Sequence, residues 1–157
     1  MSNDKLNWFK KLEAKMWQVV GQRHFKKYEK WVSAVVWMLA IYYLSSKSLS
    51  FVVVVDYWEI ILRKMAHMFE YAVLNFLIFR ILGQTEKRHY YWNLFWALIL
   101  TILYAISDEY HQTFTIGREG TYRDVLIDSA GALIAVWLIY INHRHKELVK
   151  LNKKTVP

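Results

Sequence analysis

Three short blocks of this 157-residue chain carry side chains that can move protons or hold charge. The first contains Lys64, His67, Glu70, Tyr71 and Asn75. The second contains Tyr104, Asp108, Glu109, His111 and Gln112, and the third Asp124 and Asp128, followed by Gly131. An imidazole beside a carboxylate equips a site for general acid–base chemistry, with His67 or His111 as base. Two His with Asp or Glu can also hold a divalent metal that activates water. No HExxH-type spacing is present, so such ligands would have to come from three separate segments. No organic cofactor is expected, and a divalent metal is the only inorganic option. Lys64 and Arg118 can bind phosphate through charge-assisted hydrogen bonds. The candidates for chemistry are therefore His67, Asp108, Glu109, His111, Asp124 and Asp128. The candidates for binding are Lys64, Glu70, Tyr71, Gln112 and Arg118.

The spacing within each block is helical. At 100° per residue, Lys64, His67, Tyr71 and Asn75 fall within about 80° of arc. Tyr104, Asp108 and His111 follow at steps of four and three, as do Asp124, Asp128 and Gly131. A glycine at the end of such a stripe lets a neighbouring helix approach closely. Each residue alone has a bland role. Lys64 and Arg63 can snorkel to head groups, His67 can be a hydrogen-bonded core residue, and Asp128 can pair with Arg118 or Lys64. As a set they ask for more, because an ionisable group in an apolar helix costs a few kcal/mol and a small bundle packs without one.

The elements that must position these stripes are apolar. Hydrophobic residues make up 55% of the chain and aromatics 17%, which excludes intrinsic disorder. The absence of Cys excludes disulfides, thiolate zinc sites and thiol nucleophiles. Four stretches, 31–46, 60–82, 90–107 and 125–142, are near the roughly 20 residues needed to cross a bilayer. The last two are apolar around their whole circumference, which argues against a soluble bundle. The expected fold is all-α: a membrane-spanning antiparallel four-helix bundle over 31–142. Residues 1–30 place Leu6, Phe9, Leu12, Met16 and Val20 at steps of three and four among lysines, an amphipathic basic helix for a membrane surface. Residues 143–157 form a basic tail, and Phe51–Val55 is too short to span and reads as interfacial.

Charge sets the orientation. With both termini cytoplasmic, 16 of the Lys and Arg residues lie inside and five (Lys47, Arg63, Lys64, Arg118, Arg123) outside. The basic ends then face anionic membrane lipids, which accounts for the net charge of +8 without nucleic acid. All three polar stripes fall at the outer ends of their helices, under the 111–123 link. The first segment adds only Ser45 and Ser46. Asn93 and Thr101 stand alone in the inner halves, so a proton-coupled transport path is the least favoured reading.

The same residues carry a resemblance. The run Lys64-x-x-His67-x-x-Glu70-Tyr71-x-x-Leu74, then Ser107-Asp108-Glu109-x-His111-Gln112, then Gly117-Arg118, then Asp124-x-x-x-Asp128-x-x-Gly131 resembles the VanZ-like family over about residues 31–142. Ile116 stands where that family often has Pro. The resemblance implies a small multi-pass protein of the bacterial cell membrane, from a family whose name-giving member is linked to low-level teicoplanin resistance. The expectation is an outer-facing pocket that acts on, or binds, the head group of an envelope lipid or wall precursor, with Arg118 and Lys64 as charge partners. A non-catalytic accessory protein that binds a partner or drug is the alternative.

Overall fold

The computed structural model describes residues 28–46, 57–85, 89–115 and 120–155, together with Lys11 and Lys15. Four helices are described: α1 over 28–45, α2 over Tyr57–Thr85, α3 over Tyr90–Gln112 and α4 over Tyr122–Thr155. The expected N-terminal amphipathic helix and the Phe51–Val55 segment lie outside the described residues. So do Arg118 and the Gly117 before it.

These helices form because nothing interrupts them: the chain's one Pro is Pro157, and among the described residues the helical glycines are Gly83 and Gly131. Cross-helix pairs fix the topology. Tyr71 of α2 meets Asp108 of α3, and Asn75 meets Thr101, so α2 and α3 are antiparallel. Glu109 meets Thr121 just before α4, and at the opposite end Tyr90 stacks on His143 at 3.9 Å, so α3 and α4 are antiparallel too. Met38 pairs with Tyr104 and Ser46 with His111, so α1 runs parallel to α3. The up-down-up-down bundle expected from the four apolar segments is therefore the observed one.

The helices outrun the apolar segments at the polar end and beyond the C-terminus. α3 continues through Asp108–Gln112, because these polar side chains find partners inside the bundle. α4 does not stop at residue 142: the expected basic tail is helical to Thr155. Its Lys and Arg residues are good helix formers, and Lys150 pairs with Glu147 one turn earlier. Past His143 the helix runs about 18 Å further at 1.5 Å per residue.

Beside an apolar core, the bundle buries polar side chains and exposes large apolar ones. Fully or nearly fully buried side chains include Ser45, Asn75, Thr101, Asp108, Glu109, Gln112 and Asp128. The outside shows Leu62, Met65, Phe69, Trp92, Trp96, Leu103, Leu133 and Trp137, all more than two-fifths exposed. Water would penalise both halves of that arrangement, whereas hydrocarbon favours it. Ile60–Gly83, Tyr90–Gln112 and Tyr122–Lys153 are each long and apolar enough to cross a membrane. Small residues (Ala34, Ala97, Ala105, Ala132, Ala135) occupy the buried helix faces, which lets the helices pack closely. A compact apolar cluster of Ile41, Tyr71, Leu74 and Ala105 underlies the polar end and holds the site up.

Candidate functional site

The polar end has two lobes that share α3. In the first, α1, α2 and α3 surround Asp108, which is 3% exposed. Its Oδ1 accepts a hydrogen bond from Ser45 Oγ at 2.7 Å. Its Oδ2 accepts from Gln112 Nε2 at 3.0 Å and from the Tyr71 hydroxyl at 3.3 Å. Three neutral donors thus replace water around a buried carboxylate, the condition under which such burial is tolerable. One helical turn on, His111 has its Nε2 3.2 Å from Ser46 Oγ, and its ring packs on Tyr42 with centroids 4.3 Å apart. A cavity of about 280 Å³ opens beside these groups, lined by Tyr42, Tyr104, Ser107, Asp108, Tyr110, His111 and Phe114.

In the second lobe, α2 and α4 are drawn together at Gly131. A Cβ there would overlap the Met68 backbone, so only glycine permits this approach. The contact brings the polar stripes of the two helices face to face. Lys64 forms an ion pair with Asp124, and His67 Nδ1 lies 3.3 Å from Glu70 Oε2. Asp128, 2% exposed, has His67, Glu109, Asp108 and Lys64 as its titratable neighbours. Glu109 Oε2 accepts the Thr121 backbone N–H at 3.0 Å, tying the end of α3 to the start of α4. Thr121 caps α4: its Oγ1 accepts the Asp124 N–H at 3.3 Å and donates to Asp124 Oδ2 at 2.9 Å. Gly120 lets this turn lie against the Glu109 carbonyl, where a Cβ would collide.

The model of the VanZ/LLP1 family matches residues 7–143. The chain belongs to the VanZ/LLP1 family. The match takes in both lobes, and it also begins well before residue 31, reaching into the basic N-terminal segment that the motif blocks leave out. No curated protein and no solved structure matches the chain.

Against this VanZ/LLP1 framework the expected site residues divide clearly. Asp108, Tyr71, Gln112 and His111 meet in the first lobe, with Ser45 and Ser46. Lys64, His67, Glu70, Asp124 and Asp128 meet in the second, with Glu109 between the two. Arg118 lies outside the described residues. Lys64, partly exposed, is paired with Asp124. Tyr71 and Gln112 are committed to Asp108, which makes them supports of the carboxylate in this state. Among the described residues no three His, Asp or Glu side chains are placed to hold a metal ion.

Three features are only partly legible in the sequence. Ser45 and Ser46 look like the polar end of a span, yet they touch Asp108 and His111 directly. Thr121 carries the only local signal, its Thr-x-x-Asp spacing ahead of an apolar run. Thr101 is not isolated, contrary to expectation: it accepts a hydrogen bond from Asn75 Nδ2 at 3.3 Å while donating to the Ala97 carbonyl at 2.8 Å. The pair extends the polar interior one turn below Tyr71, because cross-helix register brings together residues that lie 26 positions apart.

Proposed function

We propose that this VanZ/LLP1 protein is a multi-pass membrane protein whose polar end faces outward and takes the head group of an envelope lipid or lipid-linked wall precursor. The observation that carries this is the placement of Asp108. A carboxylate buried among three neutral donors borders an open cavity at one end of a bundle whose exterior is apolar. Intramembrane ionisable groups are expensive, and a bundle already packed on alanines has no structural need of five carboxylates at one end. Glu70, Asp108, Glu109, Asp124 and Asp128 outweigh the basic side chains near them. The deep part of the site therefore suits hydroxyl, amide or ammonium groups, and an anionic portion of the ligand belongs at the rim with the exposed Arg123. The 16-to-5 distribution of Lys and Arg supports cytoplasmic termini and an outward site.

The test compares envelope lipids, wall precursors and teicoplanin susceptibility in cells with and without the protein, and with Asp108→Asn or His67→Ala in its place. Each variant is expected to behave like the deletion when compared with wild type at matched membrane levels. If the deletion changes none of the three readouts, or both variants act as wild type, the head-group reading fails.

A further inference from the structure

The first lobe contains a pairing that head-group binding does not use. Ser46 closes α1, and its Oγ lies 3.2 Å from His111 Nε2. Its hydroxyl proton rests on the Tyr42 carbonyl at 2.6 Å. Rotation about the Cβ–Oγ bond carries that proton from the carbonyl to the imidazole without moving the oxygen. The imidazole is held in place by the Tyr42 ring, tilted 31° to it. His111 also lines the 280 Å³ cavity, so the base is shared between the hydroxyl and the space where a ligand would lie. A hydroxyl and a base within hydrogen-bond reach, with the base oriented by a third group, is the arrangement of an activated serine. Ser45, the adjacent hydroxyl, is fully buried and bonded to Asp108, so it offers no such access.

We infer that Ser46 is a nucleophile with His111 as its general base, and that it attacks a carboxylic ester of the amphiphile held at the polar end. This rests on the head-group reading above and names its chemistry. In the step, a bond forms between Ser46 Oγ and the ester carbonyl carbon while the hydroxyl proton passes to His111 Nε2. Collapse of the tetrahedral adduct breaks the ester C–O bond, and His111 returns the proton to the departing alcohol. The acyl group on Ser46 then passes to water or to an acceptor hydroxyl by the same steps reversed. A neutral ester is preferred to a phosphoryl group because of local charge. Glu70, Asp108, Glu109, Asp124 and Asp128 share this end of the bundle, and the Lys64 ammonium is taken by Asp124. An incoming phosphate would meet net repulsion there.

The full-length protein, in detergent or in vesicles, is treated with a fluorophosphonate probe and the modified residue mapped by mass spectrometry. Ser46 is expected to carry the label. Ser46→Ala should abolish labelling, Ser33→Ala at the far end of α1 should leave it unchanged, and His111→Gln should slow it by at least about 10²-fold, the usual worth of a general base. Absence of label, label on another residue, or equal labelling in His111→Gln overturns the inference. A second measurement does not depend on the probe. Because the chain has no Cys, Ser46→Cys introduces a single thiol, and an adjacent imidazole speeds thiol alkylation. Iodoacetamide should react with Ser46→Cys at least ten times faster than with Ser46→Cys/His111→Gln. Equal rates overturn the pairing. Head-group binding through Asp108 and His67 would survive either failure, so the two readings fall separately.

Discussion

At the residue scale, the site is built on a carboxylate whose partners are all neutral. Asp108 uses both oxygens as acceptors, so replacing one oxygen by an amide nitrogen sets donor against donor. Asp108→Asn should therefore destabilise the bundle by about 1–3 kcal/mol, the range for leaving a buried polar group unsatisfied. Ser45→Ala removes one donor and leaves Oδ2 with Tyr71 and Gln112, and should cost nearer 1 kcal/mol. Denaturation in micelles measures both, and a larger loss for Ser45→Ala would mean that Asp108 is not the hub. The Lys64–Asp124 pair behaves differently. Both side chains are partly exposed, at 36% and 22%, so screening limits its worth to about 1 kcal/mol or less. Lys64→Met should leave stability almost unchanged, whatever it does to ligand binding. The clustering of these residues was legible because helical spacing gathers each stripe onto one face. Their bonding was not, because two helices can meet in several registers, and only the observed one sets Ser45 on Asp108 and Asn75 on Thr101.

At the element scale, the decisive contact is between α2 and α4. Gly131 touches the Met68 backbone, and this approach lets Lys64 reach Asp124 and brings His67 near Asp128. Gly131→Ala would force the helices apart and should cost about 1–3 kcal/mol, as overpacking does. Gly83 offers the matching control, since a Cβ there meets nothing within 4 Å. Gly83→Ala should be neutral or stabilising by up to about 1 kcal/mol through helix propensity. Thermal unfolding of the two variants in detergent checks the pair, and equal effects would remove Gly131 from its role. Sequence spacing exposes this glycine, because it continues the Asp124–Asp128 stripe. It does not reveal the end of α4: the change from apolar to basic at residue 143 marks a change of surroundings, and the backbone continues as helix because Lys, Arg, Glu and Leu all favour it.

At the scale of the whole molecule, an apolar exterior and a polar pocket at one end define where a ligand can enter. All four apolar segments are helical, and three of them, in α2, α3 and α4, are long and apolar enough to cross a membrane, which hydropathy alone made readable. Which end faces outward is a separate matter, set by charge outside the spans. Among the described residues, Lys30 at the start of α1, Arg80 near the end of α2 and the basic residues of the C-terminal helix lie at the end where Tyr90 stacks on His143, opposite Asp108. By sequence position, cytoplasmic termini keep 16 Lys and Arg inside against five outside, so the polar end should be the one exported. The lack of native Cys makes this directly measurable. Phe114, 70% exposed at the mouth of the cavity, and His89, exposed at the opposite end of α3, can each be replaced by Cys. A membrane-impermeant maleimide applied to intact cells should label Phe114→Cys at once, and His89→Cys only after the membrane is opened. The reverse pattern would turn the site toward the cytoplasm and require its ligand to come from the inner leaflet. Labelling of both in intact cells would deny that α3 spans the bilayer at all.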